Sequence, residues 1–207
     1  MRNKANPIAV PDPRQSAALR LIPRPNWHEY FLAMAKIVST RSTCSSRPVG
    51  CVIVRENRVL VTGYNGAPPG EPHCVDLGKD GELYCHRRSL RVPDQLKFPV
   101  CRSLHAEANA LALAEKLGLS ERLKGAVLYS TLSPCVSCAK ALASRGIAKV
   151  YYELAYRSID AERDREWEKL ARDSFEVYEN LQISPDSLAK IAGSILGVTS
   201  ERLLPSE

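Results

Sequence analysis

At 207 residues and a net charge of +6, with 44% hydrophobic and 25% charged residues, the chain has the size and composition of one globular domain with a full core. No apolar run reaches the roughly 18 residues of a membrane span, and residues 1–25 hold no continuous apolar stretch of a secretory signal. Seven cysteines without such a signal point to a reducing, cytoplasmic setting and to metal use rather than disulfides, and the mild positive excess suits a phosphate-bearing ligand.

In chain order, Pro7, Pro11, Pro13, Pro23 and Pro25 make residues 1–25 an irregular N-terminal arm. A helix is predicted from Trp27, with Asn26 as N-cap and Glu29 three residues on, a variant of the capping box. Trp27, Tyr30, Phe31, Met34, Ile37 and Val38 recur at helical spacing and predict one core face. After a polar connector, Arg41–Arg47, the nearly continuous apolar run Val49–Val54 predicts a strand of a covered sheet. Glu56-Asn57 predicts a tight turn and Val59–Thr62 its hairpin partner. Gly63–Gly70 is a loop dense in Gly and Pro. Residues 71–103 show no periodicity, and a segment that long needs an anchor of its own.

Ala106–Gly118 is rich in Ala, Leu, Glu and Lys and predicts a helix with Gly118 as C-cap. Ala126–Thr131 predicts a strand, CVSCAKALAS a helix ended by Gly146, and Val150–Leu154 a further strand, an alternation typical of α/β crossovers. Asp160–Ser174 predicts an amphipathic helix with Trp167 and Leu170 inward, and Phe175–Val177 a last edge strand. Ser184-Pro185-Asp186 starts a short helix running to Gly197. The expected organisation is an arm over 1–25, one domain over 26–180 and a short helical tail over 181–207.

Two segments carry the chemistry: His105-Ala106-Glu107 and Pro134-Cys135-Val136-Ser137-Cys138. His105 and Glu107 fall in the first turn of one predicted helix, and Cys135 and Cys138 open another. Spacing of three puts both sulfurs on one face, and a helix N-terminus favours thiolates. His105, Cys135 and Cys138 supply the three protein ligands of a catalytic zinc, which keeps a fourth position for water and brings the pKa of that water toward neutrality. Glu107, turned another way from His105, is left to carry protons. H-x-E followed by P-C-x-x-C is the known signature of zinc-dependent nucleobase deaminases. The blander reading is a structural zinc beside an idle carboxylate. Of the remaining cysteines, Cys51 lies inside a predicted strand and reads as a small buried apolar residue. Cys44, Cys74, Cys85 and Cys101 stand in polar loop segments.

Taken together, these motifs resemble the deoxycytidylate (dCMP) deaminase family of the cytidine deaminase superfamily. The likeness runs from about Trp27 to Tyr156. It rests on WHEYFLAMA, the Arg41–Cys44 turn, VGCVIV, GYNGAPPG with His73-Cys74, Cys101-Arg102 ahead of HAEANAL, LSPCVSCAK, and Gly146-Ile147 leading to Tyr156. The HAE and PCxxC pair alone fits any superfamily member; GYNGxPxG with HAExNA and SPCxxCAK is much more specific to dCMP deaminases.

The resemblance implies a three-layer α/β cytidine-deaminase-like fold, a central mixed five-stranded sheet flanked by helices. It implies a Zn²⁺-dependent hydrolase that converts dCMP and water to dUMP and ammonia for thymidylate supply, with attack at C4 and Glu107 shuttling protons. It implies that the Ala106 N–H and the Ser133 carbonyl hold the pyrimidine edge, that Asn65 meets the deoxyribose and that Tyr156 lines the nucleotide pocket. Asn65 also suits a turn, although Gly63 and Gly66 already supply that chemistry, so substrate contact is preferred; Tyr156 suits core packing nearly as well. An arginine fork suits the phosphate; of Arg41, Arg47 and Arg102, Arg47 is the preferred candidate. Cys44, Cys74, Cys85 and Cys101 match family positions for a second, structural zinc, which would anchor residues 71–103. The gap from Cys74 to Cys85 is longer than the family leads one to expect, so His73 or His86 are alternatives to Cys85.

Family members are homo-oligomers, hexamers or dimers, with dCTP and dTTP as allosteric effectors; here Lys116 stands where regulated members are expected to carry an arginine. Neither a membrane nor a nucleic acid is expected as a partner. The competing readings are another superfamily enzyme, acting on tRNA adenosine or free nucleosides, and a catalytically silent, nucleotide-sensing zinc module. GYNGxPxG argues against the first and Glu107 against the second.

Overall fold

The computed structural model describes residues 24–79, 82–92, 100–157 and 161–196. The expected N-terminal arm, apart from Arg24 and Pro25, lies outside the described residues, as do residues 197–207 and parts of the 71–103 segment. The elements are α1 (Trp27–Ser39), β1 (Gly50–Arg55), β2 (Arg58–Tyr64), α2 (His86–Ser89), α3 (Ala106–Lys116), β3 (Val127–Leu132), α4 (Val136–Ser144), β4 (Lys149–Leu154), α5 (Ala161–Ser174), β5 (Val177–Asn180) and α6 (Pro185–Leu196).

The five strands form one sheet in the order β2-β1-β3-β4-β5. β1 runs antiparallel to both β2 and β3, while β3–β4 and β4–β5 pair parallel. This is the mixed sheet the sequence led us to expect. The hairpin closes at Glu56 (φ 54°) and Asn57 (φ 56°). Two left-handed residues in a two-residue loop match the twist of the flanking strands.

Successive residues of a strand point to opposite faces. Cys51 and Ile53 therefore join a core with Ala106, Ala110, Leu142 and Val150. Val52 and Val54 join a second core with Phe31 and Tyr129. Because both faces are covered, β1 reads as an unbroken apolar run. α3 and α4 end on Gly118 (φ +69°) and Gly146 (φ +75°). There the Leu119 N–H returns to the Ala114 carbonyl at 2.8 Å and the Ile147 N–H to the Leu142 carbonyl at 3.2 Å, the paired closure that a left-handed glycine permits.

Three expectations are corrected. The stripe on α1 does not all face the core: Trp27, Tyr30 and Ile37 are exposed, while Phe31 and Ala35 are buried. A Cβ on Gly50 would stand 2.3 Å from both the Ala35 carbonyl oxygen and the Ser39 nitrogen. The helix thus lies on β1 along the Phe31–Ala35–Ser39 ridge, which turns Trp27, Tyr30 and Ile37 aside. In α5, Leu170 is exposed, and the inward residues are Trp167 and Ala171, four apart on one ridge. The last strand begins at Val177, not Phe175. Phe175 is instead buried as a core plug, its ring stacked on Tyr178 at 5.9 Å.

Tyr30–Gln182 form one compact unit. The other comprises the flanking segments, of which residues 24–29 and 183–196 are described. In it the Glu29 N–H donates to Asn26 Oδ1 at 2.9 Å and the Asn26 N–H to Glu29 Oε2 at 3.0 Å, closing the expected capping box. Ser187 Oγ donates to Glu29 Oε1 at 2.8 Å, and Ser184 Oγ caps α6 by accepting the Ser187 N–H at 3.1 Å. Among the described residues no helix is long and apolar enough to cross a membrane.

Candidate active site

Because β1 is antiparallel to its neighbours, its N-terminal end and the C-terminal ends of β2, β3 and β4 meet at one end of the sheet. The segments leaving that end carry Arg47, Asn65, Ser133, Cys135 and Tyr156, and all five line a single cavity of about 270 Å³. A crevice outside the carboxyl ends of parallel strands is where open α/β sheets bind ligands.

His105 and Cys135 are both helix N-caps with extended backbones (φ −72°, ψ 156° and φ −71°, ψ 167°), and neither side chain caps its own helix. His105 thus stands one residue before the first turn in which it was expected. A capping side chain normally turns back onto the helix N–H groups. Here both turn away and converge. Cys135 Sγ lies 3.4 Å and Cys138 Sγ 3.5 Å from His105 Nδ1, and the three donor atoms lie within 4.8 Å of one another. A tetrahedral zinc at its usual bond lengths sets nitrogen and sulfur ligands about 3.5 Å apart. The donors therefore fit zinc as they stand. Hydrogen bonding from Cys138, then from His105, pulls the Cys135 thiol well below its ordinary range. Cys138, the partner in that bond and itself buried, is pushed up.

Glu107 is 3% exposed. Burial pushes its carboxyl up, against the opposing pull of its own backbone N–H and of the nearby His105. A carboxyl whose charged form is disfavoured by burial is suited to accept and return a proton.

The other expected residues fall into groups. Ala106 and Ser133 are buried in the cavity wall. Ser133 is fixed at both ends of β4's exit: its N–H donates to the Leu154 carbonyl at 2.8 Å, and its Oγ accepts the Tyr156 N–H at 2.7 Å. The Asn65 side chain braces the 42–49 connector. Its Oδ1 accepts the Val49 N–H at 2.8 Å and the Ser42 hydroxyl at 2.6 Å, and its Nδ2 donates to the Arg47 carbonyl at 2.8 Å.

Arg47 lines the cavity, as does Arg102, whose guanidinium is ion-paired to Glu71 at 3.0 Å. Arg41 is not among the lining residues. Sequence reasoning missed Arg87 and Arg88 of α2, together with Arg157, which also line it. The adjacent arginines following Cys85 and His86 were the available signal.

Cys44, Cys74, Cys85 and Cys101 all line this cavity. Their segments are stitched together: the Val75 N–H donates to the Thr43 carbonyl at 3.4 Å, Ser45 Oγ to the Tyr84 carbonyl, and Arg102 Nε to the Pro72 carbonyl at 3.3 Å. Among the described residues no three of these sulfurs close to within 4.8 Å as the His105 set does. His73 and His86 each engage Nδ1 elsewhere, with Thr43 Oγ1 at 3.1 Å and the Tyr84 hydroxyl at 2.8 Å.

Donors of this type at paired helix starts, around a buried carboxylate, define a zinc-binding deaminase domain. The chain belongs to the family of the cytidine and deoxycytidylate deaminase zinc-binding region, which it matches over residues 25–154. It is 39% identical over 135 residues to the deoxycytidylate deaminase of Schizosaccharomyces pombe, covering 64% of this chain and 38% of that one. It is 41% identical over 134 residues to the deoxycytidylate deaminase of Mycobacterium phage D29, covering 62% of this chain and 95% of that one. The chain thus spans less than half the length of the fission-yeast relative. Its fold is similar to a crystal structure of dCMP deaminase from the cyanophage S-TIM5 in complex with dCMP and dUMP. That likeness has a TM-score of 0.56 and 30% identity, over 77% of this chain and 99% of that one.

Proposed function

We propose that this chain is a dCMP deaminase: dCMP and water give dUMP and ammonia. The observation that carries this reading is the buried Glu107 beside the His105–Cys135–Cys138 donor set, on the floor of a cavity lined by arginines. Bound there, zinc supplies Lewis acidity and a water of lowered pKa. In the reaction a C4–O bond forms and the C4–N bond breaks. Glu107 takes a proton from the water and delivers it to ring N3, then carries the second to the departing amine. The Ala106 N–H and the Ser133 carbonyl hold the pyrimidine edge, with Ser133 kept in place by its bonds to Leu154 and Tyr156. Asn65 and Tyr156 flank the sugar, and Arg47, Arg87, Arg88 and Arg157 draw the phosphate. The relatives named deoxycytidylate deaminase support the substrate.

A second, closed zinc on Cys44, Cys74, Cys85 and Cys101 would anchor the 71–103 segment; the bonds that stitch these four segments together support it. A reducing, cytoplasmic setting belongs to the same reading, since seven cysteines suit metal use better than disulfides there. So does homo-oligomer formation, supported by the family resemblance; control by dCTP and dTTP is its open part, because Lys116 stands where regulated members are expected to carry an arginine.

The test is purified protein against dCMP, CMP, deoxycytidine and dCTP, with zinc measured, dCTP and dTTP added in turn, and the mass in solution determined. Turnover of dCMP above the other three is expected. Preference for deoxycytidine, or no deamination of any by zinc-loaded protein, overturns the reading.

A further inference from the structure

α3 is built almost wholly of strong helix formers, AEANALALAEK, with Asn109 the exception. Asparagine is a poor helix-interior residue because its amide competes for backbone groups. Here the amide reaches out of the helix: Asn109 Nδ2 donates to the Tyr64 carbonyl at the end of β2, at 2.8 Å. Two further contacts flank this bond. A Cβ on Gly63 would stand 2.1 Å from the Ala106 carbonyl oxygen and 2.8 Å from the Ala110 nitrogen, so the peptide that leads into Glu107 rests directly on Gly63. Gly66 and Leu104 exchange backbone bonds of 3.1 and 2.9 Å, immediately before His105. The strand end thus grips the helix start on both sides of His105 and Glu107. Of the three grips, the Asn109 contact is the one made by a side-chain hydrogen bond.

We propose that Asn109 is a positioning residue: its bond to the Tyr64 carbonyl sets the seat of α3 on β2, and thereby where Glu107 and His105 stand relative to Cys135 and Cys138. The inference deepens the deaminase reading and rests on it for its kinetic readout. Misplacing a reacting group by a fraction of an ångström to an ångström costs rate while leaving binding largely intact. Ala110 and Ala114, buried on the same helix, keep α3 docked when the bond is lost.

The test compares zinc-loaded and cobalt-substituted wild type, Asn109→Ala and the isosteric Asn109→Asp, which sets an acceptor against the carbonyl. Both variants are expected to lose about 10- to 100-fold in kcat for dCMP. KM should change by less than about threefold, since binding is largely kept, metal content should be unchanged, and the visible cobalt bands should shift as His105 moves. A fall in melting temperature with kcat and cobalt spectrum unchanged overturns the inference, because Asn109 would then hold only the fold. If wild type does not deaminate dCMP, the functional reading fails, and the cobalt spectrum alone decides: bands identical in all three proteins overturn the positioning role.

Discussion

His105 Nδ1 and Cys135 Sγ stand 3.4 Å apart, each borne by the residue that caps a helix. The pairing couples two crossovers of the sheet, since one cap follows the GYNG segment after β2 and the other follows β3. It also leaves Glu107, one residue into the first turn of α3, beside the donors and outside their set.

Glu107→Gln is expected to keep the zinc and to lose about 100- to 10,000-fold in kcat, the usual contribution of a positioned acid–base group. Metal analysis and steady-state assay on the same preparation check both halves. Near-wild-type turnover would show that another group moves the protons.

The arginines at the cavity should act on the monophosphate alone. Arg47→Ala, and Arg87→Ala with Arg88→Ala, are expected to lower kcat/KM for dCMP. Losing a charged contact costs about 2 kcal/mol or more, roughly 30-fold, and activity on deoxycytidine should hold. Equal losses on nucleotide and nucleoside would remove the arginines from phosphate recognition.

Two zinc ions per chain are expected in carefully reconstituted protein. Cys101→Ser should release about one of them and lower the melting temperature, since a closed site contributes folding energy. Unchanged zinc and unchanged melting would leave the 71–103 segment to be anchored by other means.

Alkaline stability should report on the aromatic core under α1. The Tyr129 phenol is pushed up to about 12, by burial and then by Tyr151, whose ring is stacked on it at 5.2 Å. The folded chain therefore holds this proton more tightly than the unfolded chain, in which tyrosine titrates near pH 10. The stability so contributed is complete below about pH 10 and is lost as the pH rises through about 12. Denaturant midpoints should fall across that window, and Tyr129→Phe should flatten the fall in part, because Tyr151, Tyr152 and Tyr178 are raised too. A Phe variant with an unaltered slope would clear Tyr129 of the effect.

What the sequence made legible was set by local physics. Apolar runs, turn and cap residues and left-handed glycines fix the strands of the hairpin and the ends of α3 and α4, and those signals lie within a few residues of what they control. The ligand triad was legible for the same reason, each donor standing at a helix start. The errors arose where tertiary contact decides. Nothing near Trp27 or Ile37 announces that Gly50, on another element, will seat α1 along Ala35 and Ser39. Leu170 has the right period for burial, yet the small Ala171 wins the close contact. Arg87, Arg88 and Arg157 join the cavity only because separate loops return to one end of the sheet, which spacing along the chain cannot show.

The exposed Glu56–Asn57 turn lies at the end of the sheet away from the cavity. That makes it a handle. A tag, fluorophore or surface linker introduced between these two residues lengthens a connection whose closure entropy grows only slowly with added residues, and it leaves every strand exit that feeds the cavity untouched. The protein can thus be immobilised by this turn with its cavity facing the solution.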